Sequence, residues 1–271
     1  MGIINRLKAV AKYVKYDGKI TQLSFAEVHY GGILRGKKIV VTGGGSGIGL
    51  AMAKKFLSEE AEVVITGRNV DKLKEVEASI NNPKLHILQW DVVKTEEINE
   101  KIAKVIELIG GIDAFVNNAA FLEHKRTDEE FYDNTLETNL KAVYFICQKV
   151  VAAFIENNGE RGGKIINISS INGSMSSTHP YYISKWGLNG LTKGFAKEYA
   201  SKNIIVNAIA PGYCASSINY QDIEENAYSA KNLIHRIITP TDIAELATFL
   251  LSDAANAIVG QIITIDGGTT L

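Results

Sequence analysis

Several things are scarce in this chain, and each scarcity removes a class of protein. Only two cysteines occur in 271 residues, Cys147 and Cys214. They lie far apart with no histidine at ligand spacing, so the expectation is two ordinary thiols in a reducing, cytoplasmic compartment, not a disulfide framework. The five histidines form no metal-binding pattern. A formal net charge of −1 gives no field that would gather nucleic acid. No apolar run reads as long enough to span a bilayer, and there is no internal repeat or low-complexity tract. What is left is an ordinary globular composition, long enough to bury one sizeable core without splitting in two.

The first residues stand apart. Met1 to Tyr16 carries Arg6, Lys8, Lys12 and Lys15 with no acid, and its apolar residues recur at helical spacing. Such a basic amphipathic helix packs on the body or a neighbouring subunit, or lies on a membrane surface. The apolar core of a signal peptide is missing, and Arg6 stands where myristoylation wants Ser or Thr. Asp17-Gly18 is a turn signal. Residues 1–36 are therefore read as an extension and 37–271 as one domain.

From residue 37 strands and helices alternate. Strands are expected at 39–42, 62–66, 85–90, 112–117, 164–169, 204–209 and 261–265. Helices are expected up to Phe56, over 70–80, 96–109 and 134–156, and after Pro180. This alternation requires a single doubly wound parallel α/β sheet, whose ligands bind beyond the carboxyl ends of the strands. The glycine turn after Thr42, and Arg68, Asp91, Asn117, Ser170 and Pro211, all fall at such ends.

The organising stretch runs from Lys37 to Ala51. A buried-type strand enters a glycine turn, and a helix begins at about Ile48. Unpaired N–H groups and the macrodipole at a helix N-terminus make this a phosphate site, and glycine lets the backbone approach a pyrophosphate. Gly43, Gly47 and Gly49 give T-G-x-x-x-G-x-G. This spacing is neither G-x-G-x-x-G nor a P-loop, which would continue into Lys-Ser or Lys-Thr.

Tyr181 and Lys185 are four apart just after Pro180 and share a helix face. An ammonium beside a phenol favours the phenolate and brings a pKa of about 10 towards a working range. Tyr182 lies at i,i+3 from the same lysine, so spacing alone does not choose between the tyrosines. Ser170 ends a strand, where its hydroxyl can donate to a developing oxyanion; Ser169 points to the other face. Asn139 lies inside a long helix, where Asn is a mediocre helix former, and it either faces solvent or serves the site. His124-Lys125-Arg126 is either a solvated basic face or part of the mouth for an anionic substrate, and His179 and Tyr213 are further candidates for the pocket border.

Taken in order, T42-G-x-x-x-G-x-G49, Asp91, Asn117-Asn118-Ala119-Ala120, Asn139, Ser170, Tyr181-x-x-x-Lys185, Pro211-Gly212 and Asp266-Gly267-Gly268 resemble the short-chain dehydrogenase/reductase family over roughly 37–268. Ala120 departs from the family's usual Gly, and the interval from Ser170 to Tyr181 is slightly short. The resemblance implies a Rossmann fold and a catalytic set of Asn139, Ser170, Tyr181 and Lys185, with Asn139 holding a water that links Lys185 to solvent. It further implies that Gly43, Gly45, Ser46, Gly47, Ile48, Gly49, Arg68, Asp91, Val92, Asn118, Ala119, Tyr181, Lys185, Pro211 and Gly212 bind a dinucleotide. Pro211-Gly212 opens a substrate loop running towards Asn232. At the second strand's end Gly67 removes the acid that would hold a ribose 2′-hydroxyl, and Arg68 suits a 2′-phosphate. This favours NADP(H) over NAD(H), although Ser46 stands where the glycine loop would carry a second basic residue. Asp71 serves the next helix N-terminus.

The resulting expectation is an NADP(H)-dependent oxidoreductase that moves hydride between nicotinamide and a carbonyl or secondary alcohol, with no metal. A 3-oxoacyl thioester, on acyl-carrier protein or CoA, is the alternative substrate class. A dinucleotide-binding sensor or scaffold without turnover is the alternative of another kind. The family also implies a homodimer or homotetramer built on the helices bearing Asn139 and Tyr181.

Overall fold

A computed structural model describes residues 19, 28–123, 128–215 and 227–271. The basic N-terminal helix, the Asp17-Gly18 turn and the His124-Lys125-Arg126 cluster lie outside the described residues.

Among the described residues seven strands form one sheet: β1 (Lys38–Thr42), β2 (Glu62–Gly67), β3 (Leu85–Gln89), β4 (Ala114–Asn117), β5 (Gly163–Ile168), β6 (Ile204–Pro211) and β7 (Ile262–Ile265). Their order is β3-β2-β1-β4-β5-β6-β7, and every pairing is parallel. The apolar runs are continuous because both faces are covered. Ile39, Val40 and Val41 are all fully buried. The connecting helices are α1 (Gly47–Ser58), α2 (Val70–Ile80), α3 (Ile98–Ile109), α4 (Glu129–Leu136), α5 (Ala142–Asn158), α6 (Pro180–Tyr199) and α7 (Pro240–Leu251). One core layer joins Phe56, Leu73 and Leu250, from α1, α2 and α7, to one face of the sheet. The other joins Ile102, Ile146 and Leu188, from α3, α5 and α6, to the opposite face. This is the doubly wound sheet that the alternation required.

Three elements differ from the sequence expectation. The long helix begins at Glu129, not Asn134, because Asp128 caps it by accepting from the Phe131 amide at 2.9 Å. It is interrupted by a π-helical turn at Glu137–Lys141, which contains Asn139. Helix α7 has no counterpart in the expected elements, yet its signal is local. Thr239 and Asp242 form a capping box, and Pro240 occupies the first helical position. The continuous stretch Glu129–Arg161 is also long and apolar enough, by length and composition, to cross a membrane, contrary to the reading of the runs alone. Here it is a core helix, with Val143, Ile146, Cys147, Val150 and Phe154 buried.

The strand order reverses between β1 and β4, which opens a crevice at their carboxyl ends where such folds bind ligands. Two side chains stitch its floor. The Thr42 hydroxyl accepts from the Asn118 and Ala119 amides at 3.0 and 3.1 Å. The Asn118 carboxamide donates to the Thr42 and Gly43 carbonyls at 2.8 and 3.2 Å.

Candidate active site

A cleft of about 380 Å³ lies over that crevice. At one end are the glycine turn and the end of β2, with Gly43, Ser46, Gly47, Ile48, Gly67 and Arg68 on its wall. Trp90, Asp91, Val92, Asn118 and Ala119 line its middle, and Ser170, Tyr181, Lys185, Pro211 and Gly212 its other end. Most of the expected residues are thus gathered on one surface. Gly45, Gly49 and Asn139 are not on that wall.

The glycine turn packs so closely on itself that its own backbone fills the space side chains would take. Gly43 sits at φ +67°, and a Cβ on Gly49 would stand 2.4 Å from the Gly43 carbonyl oxygen. At the N-terminus of α1 the cap residue Ser46 makes no side-chain hydrogen bond. The first amides of this helix are therefore without the usual side-chain acceptor and face the cleft, a cradle suited to an anion.

The chemical end is assembled by β5 and α6. Pro180 opens α6 at a position that tolerates a missing N–H, and His179 caps it, its Nδ1 accepting from the Tyr181 amide at 3.2 Å. His179 also makes edge contacts with Phe131 and Tyr182, at ring separations of 5.3 and 5.9 Å. It is an anchor for the helix start, and the cleft wall runs past it. Ser170 stands two residues beyond Ile168, the last residue of β5, and its hydroxyl accepts from the Asn172 amide at 3.2 Å.

Burial governs the titration of both key groups. It pushes the Tyr181 phenol up to about 12, against the pull of a hydrogen bond with Ser170. It also brings the Lys185 ammonium down to about 8. Lys185 Nζ lies 5.6 Å from the Tyr181 ring centroid and donates to the Ile168 carbonyl at 2.7 Å. The expectation that the ammonium would bring the phenol down is not met here: the cost of burying charge acts on both groups, and Lys185 is not among the causes of the Tyr181 shift.

The hydrogen bonds of the Asn139 side chain go to Phe121 and Ser184. The side chain clamps Phe121, accepting from that amide at 2.7 Å and donating to that carbonyl at 2.9 Å, with a longer 3.3 Å contact to the Ser184 hydroxyl. The clamp holds the segment after β4, which brings Phe121 and Leu122 to the cleft wall. Both donors of the carboxamide and one of its acceptor positions are thereby used. A π-turn places its side chain where a regular helix would not, and such turns recur at functional sites.

Tyr213 is exposed, with Lys231 Nζ 3.1 Å from its ring centroid. The expected substrate loop is pinned at its base on both sides: the Ala215 amide donates to Ile238 and the Ile237 amide to Ala227, each at 2.8 Å. Sequence reasoning missed Trp90, Phe121, Leu122, Thr138, Ile168 and Cys214 as cleft walls, and Ser169, expected on the opposite face, lines the cleft beside Ser170 because β5 ends at Ile168 and strand alternation no longer applies. Trp90 and Cys214 neighbour residues already singled out, so their strand-end positions were an available signal. Burial pushes both thiols, Cys147 and Cys214, up to about 12, which leaves them unreactive.

A family model described as enoyl-(acyl carrier protein) reductase matches residues 43–270. The chain is 36% identical over 250 residues to the 3-oxoacyl-(acyl-carrier-protein) reductase FabG of Thermotoga maritima, covering 88% of this chain and 99% of that protein. It is 34% identical over 245 residues to the reductase of the same name from Aquifex aeolicus, with 87% and 98% covered. It is also 32% identical over 248 residues to a glucose 1-dehydrogenase of Gluconobacter oxydans, with 87% and 92% covered.

Proposed function

This chain belongs to the short-chain dehydrogenase/reductase family, and on that premise we propose that it reduces a carbonyl with NADPH, using Tyr181 as proton donor. Membership makes it an oxidoreductase that works with a nicotinamide dinucleotide and a small carbonyl or alcohol. The observation behind the finer reading is that Ser170, Tyr181 and Lys185 share one end of the same cleft whose other end is the glycine turn.

The pyrophosphate would rest on the α1 amides beside Gly43, Ser46, Gly47 and Ile48, with Gly45 and Gly49 shaping the turn. Asp91 and Val92 would border the adenine, Asn118, Ala119, Pro211 and Gly212 the nicotinamide half, and Lys185 the nicotinamide ribose. Arg68, at the end of β2, has no carboxylate partner among the described residues and would take a 2′-phosphate. This supports NADP(H) over NAD(H). The nicotinamide supplies the hydride when bound.

The chain's own part is the proton. Ser170 would donate to the substrate oxygen as charge develops, and Tyr181 would protonate it. Reduction requires a protonated phenol at the outset, and burial, by raising Tyr181 to about 12, keeps it so at neutral pH. The buried Lys185 ammonium is the adjacent proton source. Because the Asn139 carboxamide is engaged with Phe121, its contribution to a relay would run through its position in the π-turn.

The names of the relatives favour a 3-oxoacyl thioester as a second substrate reading beside a sugar, polyol or other small ketone. The decisive experiment offers purified protein NADPH or NADH with ketones, diketones, sugars and 3-oxoacyl thioesters, following absorbance at 340 nm. Tyr181→Phe turning over like the wild type would overturn the mechanism. Faster turnover with NADH than NADPH would overturn the cofactor assignment.

Three further parts of the reading are proposals of the same kind. Residues 1–36 are an extension to a 37–271 domain. The compartment is the cytoplasm, in keeping with two free buried thiols. The assembly is a homodimer or homotetramer through α5 and α6, whose outer faces expose Tyr144, Phe145, Ile183 and Trp186; light scattering after size exclusion tests this.

A further inference from the structure

We infer that Asn189 is a positioning residue for the catalytic pair, its carboxamide fixing the segment that carries Ser170 against the helix that carries Tyr181. The inference rests on the reading of Tyr181 as proton donor.

Asn189 lies one helical turn beyond Lys185 on the same face of α6. Its carboxamide is used on both sides. The Ser169 hydroxyl donates to Asn189 Oδ1 at 2.6 Å, and Asn189 Nδ2 donates to the Gly173 carbonyl at 3.0 Å. Ser169 precedes Ser170, and Gly173 closes the turn after it, its amide donating to the Ser170 carbonyl at 2.9 Å. One side chain therefore grips the Ser170 segment from both ends.

Two other contacts join this strand end to α6. Asn167 Nδ2 donates to the Thr192 hydroxyl at 2.9 Å, and Lys185 donates to Ile168 at 2.7 Å. Residues 167, 168 and 169 thus each hold one residue of α6. Only the third contact reaches across Ser170 to the far side of its turn. The approach is close: a Cβ on Gly173 would stand 2.7 Å from Asn189 Nδ2 and 2.8 Å from the Lys185 carbonyl oxygen. Between Ser170 and the start of α6 the chain runs through nine residues of turn and loop, tied to the helix otherwise by the Trp186 indole, which donates to the Met175 carbonyl at 2.9 Å, well beyond the Ser170 turn. A hydrogen bond to the reacting group needs tighter control than that.

The experiment records the ¹³Cζ resonance of Tyr181 in protein carrying ring-labelled tyrosine, assigned as the signal absent from Tyr181→Phe. Ser170→Ala gives the position of this signal when the serine contact is lost. In Asn189→Ala the signal is expected to move at least half of the way to that position, and in Ser169→Ala to move in the same direction by less. Asn189→Asp keeps the acceptor for Ser169 but loses the donor to Gly173, and serves as the reading if the alanine variant fails to fold; it too is expected to shift the signal. With any carbonyl that the wild type reduces, Asn189→Ala should lower kcat at least tenfold while KM for NADPH stays within twofold. A Tyr181 resonance at its wild-type position in Asn189→Ala, or in Asn189→Asp where that is the folded variant, overturns the inference. Wild-type turnover by Tyr181→Phe would overturn the underlying mechanism instead, so the two failures are distinguishable.

Discussion

Lys185 donates its ammonium to the Ile168 carbonyl at 2.7 Å, at the end of the strand that leads to Ser170. Among the described residues no carboxylate offsets the burial of this charge, and its pKa falls to about 8. The unfolded chain, with an ordinary lysine, binds a proton between about pH 8 and 10.5 that the folded chain releases. This group's penalty is therefore present in full below pH 8 and relieved as pH rises through that window.

Lys185→Met should consequently be inactive without being proportionately unstable. Removing a desolvated cation offsets part of the lost contact with Ile168. The melting temperature of the variant relative to wild type should be most favourable at pH 7 and decline towards pH 10. Paired thermal melts across that range check the sign. A difference that grows with pH would show that burial is not what depresses this lysine.

Tyr181→Phe removes the proton donor and little else. Turnover should fall by roughly 10²–10⁴-fold, the usual size of a general acid contribution. Dinucleotide binding, followed by fluorescence titration, should stay within a few-fold of wild type, since the phenol oxygen lies at the chemical end of the cleft. A comparable loss of binding would mean that the ring serves chiefly as a wall.

Arg68→Ala should separate the two dinucleotides. A charge-assisted hydrogen bond contributes about 1.5–3 kcal/mol, so KM for NADPH should rise roughly ten- to a hundredfold while KM for NADH stays nearly constant. Equal effects on both cofactors would place Arg68 outside the 2′-phosphate site.

Much of this fold was legible because its signals are local and repeated. Buried parallel strands read as apolar runs, and the residue types that carry chemistry fall where those runs end. What escaped depended on tertiary contact. The Asn139 side chain could be placed in a helix by its sequence, but its partner is the backbone of Phe121, and only the π-turn aims it there. The titration of Tyr181 and Lys185 followed burial, which helical spacing does not report. Asn189 carries no motif, and its importance comes from a strand end and a glycine that reach it through folding. Helix α7 was a different kind of miss, since Thr239-Pro240-Thr241-Asp242 is a complete start signal.

That start signal leads to a stability prediction. Asp242 accepts a two-pronged contact from Arg236, at 2.8 and 3.0 Å, and the Thr239 amide at 2.8 Å. Burial pushes its carboxyl up, yet these partners together hold it below its ordinary value. The residues just before α7 also pin the base of the proposed substrate loop, through the Ala215 amide to Ile238. Asp242→Asn should destabilise the chain by about 1–3 kcal/mol at pH 7, the cost of losing hydrogen bonds to a charged group. The sign with pH follows from the depressed pKa. The carboxylate's contribution is complete above the unfolded value near 4 and is lost as pH falls through the lower folded value. Denaturant midpoints of wild type and variant should therefore differ at pH 7 and converge below about pH 4. A gap that persists undiminished into acid would assign the loss to packing at the helix start and not to the charge on Asp242.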